Sequence, residues 1–461
     1  MRAHLDRRHM PDPRCDVRQF LLAATARMFR IGGSFGRKGI CPGFRIGLLR
    51  LVCLCAAMVL GLPAHAAADL GRTVTVPFDH AAPARGGAPL YYELGAPFEP
   101  SKPTIFIVAD AQQFYVRRGQ IASLQNALFG GAFNVVGIVG RGATPEFIRH
   151  AQDAHGKPDW LAAWNVFNSN QWIEDIDTVR RDLLGADGKV MLYGRSGGAF
   201  LVHQYLARHG EHVTRAFTQA PLNPFLIREL RLNSDHFWEQ LTETDRALLK
   251  KALASRPQER ETILRTLQRQ NFFHDPAKLP AARSALIEAL AEGNAAAYAA
   301  ARRDYQVDAI DRLMDSPAGI AIAVRMFEFF QPSGASERLG GEAVCPDLEN
   351  QYNLAHPLVS LFEAGKIPMP TFDFDKLHRL DTEVFLLAGR FDHTADYRSV
   401  IALAAHYPHQ TLFMAADNHA FGDLDKAGVT VRLQRTFFAQ GGGSKALHEV
   451  MRDAGSLWWR E

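Results

Sequence analysis

The stretch Leu192-Tyr193-Gly194-Arg195-Ser196-Gly197-Gly198-Ala199-Phe200 sets one serine between glycines two residues before it and two residues after it. Ahead of it, Lys189 to Tyr193 is short and apolar and follows Gly185-Ala186-Asp187-Gly188, the pattern of a buried strand entered from a turn. Behind it, Ala199 to Gly210 has helical apolar spacing and a glycine stop. The serine therefore falls on a strand-to-helix turn. Such a turn strains the serine backbone and brings strand and helix so close that neighbouring side chains must be small, a demand the glycines meet. The five-residue pattern alone is weak, and its flanking elements give it meaning.

Outward from this turn the chain alternates. Thr73 to Pro77 and Leu90 to Leu94 read as early strands, Thr104 to Val108 as a buried one, and Phe133 to Val139 as another. Trp172, Ile176, Val179 and Leu183 form one helical face, and Thr214 to Ala220 is a further strand. Alternation of this kind predicts an α/β fold with a mostly parallel sheet flanked by helices.

From Asn223 to Pro370 helical spacing takes over, at Asp245 to Ala254, Gln258 to Gln270, Ala281 to Glu292, Ala295 to Arg303 and Ala318 to Phe330. Strands return at Glu383 to Ala388 and Gln410 to Ala415, around a helix near Arg398 to His406. The expected organisation is a leader over 1–66, a core over 67–222, an inserted helical lid over 223–370 and the rest of the core over 371–461.

The N-terminus stands apart from this pattern. An Arg-rich stretch leads into the apolar run Leu51 to Leu62, followed by Pro63-Ala64-His65-Ala66. A basic segment, a run short for a bilayer and an Ala-x-Ala site are the parts of a secretory signal peptide, with cleavage expected after Ala66 and the product periplasmic or secreted. The alternative is a membrane anchor.

Residues 1–66 hold 11 of the 52 basic and 3 of the 49 acidic residues, so the remainder is mildly acidic, with a net charge of −5. That balance gives no reason to expect a nucleic-acid partner, and stable membrane insertion is not expected after cleavage. Of the five cysteines only Cys345 lies beyond the leader, which leaves no intramolecular disulfide to form.

A serine hydroxyl needs a base to become a nucleophile, and a histidine base needs an acid to fix its tautomer. In an open parallel sheet such groups gather at the carboxyl ends of strands. Gly389-Arg390-Phe391-Asp392 follows one strand, and Asp417-Asn418-His419 follows the next. Asp396 competes with Asp392 but is placed to begin a helix, and His393, His406 and His409 compete with His419. Asp392 and His393 with Asp396 could mimic a metal cluster, but no further ligand stands at metal-binding spacing, so neither a metal nor a cofactor is expected.

The chain order Ser196, Asp392, His419 resembles that of the α/β-hydrolases over nearly all of residues 72–440. Within them, GRSGGAFLVHQYLARHGEHVTRAF, VVGIVGRGAT and GRFDHTAD are similar to segments of capped, prolyl-aminopeptidase-like serine peptidases. The resemblance implies Ser196 as nucleophile, His419 as base and Asp392 as its orienting acid, acting on a small molecule or short peptide. It also implies an oxyanion hole. Where those peptidases carry a His-Gly-Gly-Pro-Gly type loop, this chain has Ala109-Asp110-Ala111-Gln112-Gln113, so the expected donors are the amides of Gly197 and Asp110. A carboxylate at Asp110 would repel the oxyanion unless it points away.

Glu328 is a candidate anchor for a substrate amine, by analogy with lid acids of aminopeptidases, and the competing reading is a glutamate on a helix surface. An aminopeptidase-like hydrolase is therefore the leading expectation. A carboxylesterase on small esters and a catalytically silent binding protein are the alternatives.

Overall fold

The computed structural model describes residues 70–113, 115–232, 237–330, 339 and 342–460. The expected leader and its cleavage site lie outside them. The described chain forms one sheet of eight strands in the order β1-β2-β4-β3-β5-β6-β7-β8. In chain order these are β1 (Gly71–Pro77), β2 (Gly87–Leu94), β3 (Thr104–Val108), β4 (Asn134–Ile138), β5 (Val190–Arg195), β6 (Val213–Gln219), β7 (Glu383–Gly389) and β8 (Gln410–Ala415).

β1 and β2 join antiparallel at one edge, and every pairing from β4 to β8 is parallel. The α/β-hydrolase fold expected from the sequence is the fold observed. β3 and β4 are buried along their whole length, as strands covered by helices on both faces must be.

Two helices bear directly on the serine turn. α1 (Ser169–Leu184) packs Trp172, Ile176 and Val179 into one core layer, and α2 (Gly197–His209) leaves the serine with its first ten residues buried. β5 and α2 meet so closely that a Cβ on Gly194 would lie 2.6 Å from the carbonyl oxygen of Gly198 and 2.8 Å from Val202. A side chain at position 194 would therefore have to push strand and helix apart.

Between β6 and β7 the described residues carry helices, in an extra helical region added to the sheet. Five of them overlap the expected stretches, at Glu243–Ser255, Arg260–Gln270, Leu279–Ala291, Ala295–Asp304 and α3 (Gly319–Phe330). Others went unread in the sequence: Pro224–Glu229, Val307–Met314 and α4 (Pro346–Glu363). α4 carries Pro357 in its interior, a residue that removes one backbone donor and masks a helix from pattern reading.

Part of this region packs as its own layer. Leu249, Leu253, Ile263, Leu267, Ile287 and Leu290 share a core with Phe237, apart from the two layers against the sheet. α3 instead sends Ile320, Val324 and Phe327 into the sheet-side core. Cys345, at the N-cap of α4, is buried and forms no disulfide among the described residues. No helix among the described residues is long and apolar enough to cross a membrane.

Candidate active site

Ser196 sits at φ 51° and ψ −123°, a conformation that L-residues adopt only where the surroundings impose it. Its amide donates to the carbonyl of Gln219 at the end of β6, 2.8 Å away, which ties the turn to the neighbouring strand. The side chain meets His419, whose Nε2 lies 2.9 Å from the serine Oγ. Nδ1 of the same ring lies 2.8 Å from Oδ2 of Asp392. The structure thus brings Ser196, His419 and Asp392 into one hydrogen-bonded line from three separate strand ends.

Each member is held by its own loop. Asp392 is fully buried, and its Oδ1 accepts from the amides of Thr394 and Ala395 at 2.8 Å each, which leaves Oδ2 for the histidine. Asp417 accepts from the amides of Asn418, Asp423 and Leu424 and so braces the turn that carries His419. Burial pushes the Asp417 carboxyl up, and those three amides work against the shift. Arg195, beside the nucleophile, donates to the carbonyl of Ala420 at 2.9 Å and so clamps the serine turn to the histidine loop.

The competing residues do other work. Asp396 caps the helix Tyr397–Ala404 by accepting from the amide of Arg398 and pairs with the Arg398 guanidinium at 2.7 Å. His393 is buried, with Nε2 3.5 Å from Arg283 of the helical region. His406 faces His378, and His409 is exposed.

The helical region touches this line directly. The Phe272 ring meets the His419 ring edge-on, with centroids 5.2 Å apart, and Asn418 donates to the carbonyl of His274 at 2.6 Å. Neither contact carries a pattern that a single sequence displays.

The other side of Ser196 departs from the sequence reading at two residues. The Asp110 amide, expected to face the oxyanion, donates instead to Oε1 of Gln113 at 3.0 Å. The Asp110 carboxylate does not point away either: its Oδ1 accepts from Ala111 N at 2.7 Å and from Nε of Arg325 at 2.8 Å. Its Oδ2 lies against Gly197. Gln113 also donates to the carbonyl of Arg195 at 2.5 Å, so the loop after β3 is bound to the serine turn through side chains where glycines would have done it by backbone approach.

Glu328 is not available as an amine anchor. It is buried, with Oε1 accepting from the amide of Ser169 at 2.9 Å and from its hydroxyl at 2.7 Å, and Oε2 pairing with Arg325. Burial raises the Glu328 carboxyl above its usual range even with the Arg325 charge beside it. Arg325 is itself fully buried, and although burial opposes its charge, Asp110 and Glu328 together hold it protonated. The reason for the difference is steric: α3 turns its Arg325–Glu328 edge inward, toward α1 and the loop after β3.

The family comparison agrees with this architecture. Residues 151–425 match the family model described as alpha/beta hydrolase fold, more than half of the chain. The chain belongs to the α/β-hydrolase family. That match does not single out the aminopeptidase-like peptidases.

Among solved structures it is similar to the esterase RhEst1 from Rhodococcus sp. ECU1013, at 15% identity and TM-score 0.42, covering 81% of this chain and 100% of that one. It is also similar to the esterase EaEST from Exiguobacterium antarcticum, at 13% identity and TM-score 0.38, covering 77% and 95%. No curated protein matches the sequence.

Proposed function

We propose that the protein is a serine hydrolase that cleaves an acyl bond through Ser196, His419 and Asp392, with small neutral esters as the favoured substrates. The continuous hydrogen-bonded line from Ser196 Oγ to Asp392 Oδ2 is the observation that supports this reading most. Ser196 attacks the acyl carbon while His419 Nε2 takes its proton. The tetrahedral intermediate then collapses as His419 returns that proton to the leaving group, and water repeats the sequence on the acyl-enzyme. Asp392 holds the ring in the tautomer with hydrogen on Nδ1 and stabilises the imidazolium.

Ester action is favoured over aminopeptidase action because Glu328, the acid singled out in the sequence as an amine anchor, is occupied inside the protein. Export by the leader is part of the same proposal and rests on the Arg45 to Ala66 pattern. A panel of short-chain aryl esters and aminoacyl-arylamides, each run beside Ser196→Ala, tests the substrate class. Turnover of the arylamides at rates matching the esters would reverse the preference. N-terminal sequencing of protein recovered from its host should begin at or near Ala67.

A further inference from the structure

Every acyl-transfer site of this kind needs donors aimed at the oxygen that becomes negative in the transition state. On this chain one is evident: the Gly197 amide is the first of α2, and the first-turn amides of a helix have no intrahelical acceptor. The loop after β3 would ordinarily supply a second. Here the amides of Asp110 and Ala111 are both engaged, by Gln113 Oε1 and by Asp110 Oδ1.

The space above Gly197 is nevertheless filled. A Cβ placed on that glycine would collide with Oδ2 of Asp110 and lie 2.6 Å from Nε2 of Gln112. The Gln112 carboxamide thus stands against the Cα of Gly197, the residue that follows the nucleophile. Its Oε1 is buried and makes no hydrogen bond among the described residues.

We propose that the side-chain amide of Gln112 is the second oxyanion donor, in place of the backbone amide of a glycine loop. This rests on the hydrolase reading above and names the group that completes its site. A carboxamide N–H can serve this purpose as well as a backbone N–H, provided it is held at the right distance. It also answers the charge problem at this corner. Asp110 Oδ2 faces Gly197, and an oxyanion formed there needs a donor on the loop side to outweigh that carboxylate, whose other oxygen is already paired with Arg325. Position 197 must then be glycine because Gln112 and Asp110 occupy the volume of any side chain.

The test uses the full chain with an activated aryl ester, comparing wild type, Gln112→Met and Gln112→Glu. Methionine keeps the volume without the donor, and glutamate keeps the shape while turning a donor into an anion. Gln112→Met should lower kcat by roughly 10²-fold to 10³-fold with KM within about threefold, the signature of a contact made only in the transition state. Gln112→Glu should lose at least as much, and its loss should shrink as pH falls and the new carboxyl protonates. Thermal midpoints of both variants should stay close to wild type.

A kcat within threefold of wild type in a folded Gln112→Met, with Ser196 still labelled by a fluorophosphonate, would overturn the assignment and return the donor to the backbone. No labelling of Ser196 in the wild type would overturn the hydrolase reading and this assignment together.

Discussion

The two sides of Ser196 are built on opposite plans. On the His419 side, backbone donors occupy one oxygen of Asp392 and leave the other aimed at Nδ1 of His419, whose Nε2 is in turn aimed at Ser196. On the loop side, Asp110 is bonded to Gln113 and Arg325, Arg325 to Glu328, and Glu328 and Gln204 to Ser169, while Gln113 reaches the carbonyl of Arg195. The first arrangement is chemistry supported by structure. The second is a buried network that ties the helical region to the sheet and leaves the Gln112 carboxamide against Gly197. The contrast shows how a chain lacking glycines after β3 can still fix that loop, through an arginine from a helix more than two hundred residues away.

The largest expected effect breaks the first side. Asp392→Asn keeps the shape but presents a donor where His419 Nδ1 needs an acceptor, and kcat should fall by about 10⁴-fold with little change in the unfolding midpoint. Steady-state kinetics on an aryl ester reads this directly, and a loss below tenfold would show that Asp392 does not orient the ring.

Next comes the network on the other side. Arg325→Met leaves the buried carboxylates of Asp110 and Glu328 without their cation, and removing one partner of a buried ion pair typically costs about 3–5 kcal/mol. Urea unfolding should show a loss of that size, and adding Asp110→Asn to Arg325→Met should recover part of it. If the double variant is no more stable than Arg325→Met, the Asp110 pairing is not what holds the loop. Gly197→Ala sharpens the comparison at the junction of the two sides. Its methyl would displace Asp110 and Gln112, so kcat should fall by about 10²-fold, the scale of a lost oxyanion donor, while the His419 contacts stay in place.

The smallest effect is a pH slope. Asp347, in the first turn of α4, accepts from Gln268 at 2.9 Å and Gln351 at 3.1 Å, and burial pushes its carboxyl up to about 7. The folded state therefore holds a proton that the unfolded chain releases near its ordinary value of 3.8. Stability from this group is fullest below that value and is lost as pH rises toward about 7. Asp347→Asn should flatten the slope, gaining of order 2 kcal/mol over wild type near pH 8. Parallel urea titrations of the two proteins between pH 5 and pH 8, if they showed equal slopes, would remove Asp347 from the account.

The legible part of the molecule was the part that local pattern dictates. The serine turn announces itself because the close approach of β5 and α2 excludes side chains at Gly194, and the strand ends at Gly389 and Ala415 place Asp392 and His419 near it. The loop after β3 was legible only as an absence of glycine, since its bonds to Arg325 and Arg195 join segments far apart in sequence.

Glu328 was misread because the helical period of α3 does not say which neighbour its polar edge meets. A signal was present even so: Arg325 and Glu328 stand three residues apart in an otherwise apolar helix, the spacing of a pair that neutralises itself inside a core. The contact of Phe272 with His419 depends on how the helical region folds back over the sheet, and no local pattern encodes it.

The most direct measurement of the central claim is covalent. Full-length protein treated with a fluorophosphonate probe, digested and mapped by mass spectrometry should carry one adduct, on Ser196, and the labelling should vanish in Ser196→Ala and slow by several orders of magnitude in His419→Ala. An adduct on a different serine, or equal labelling of the His419→Ala protein, would contradict the assignment of Ser196 and His419 as nucleophile and base.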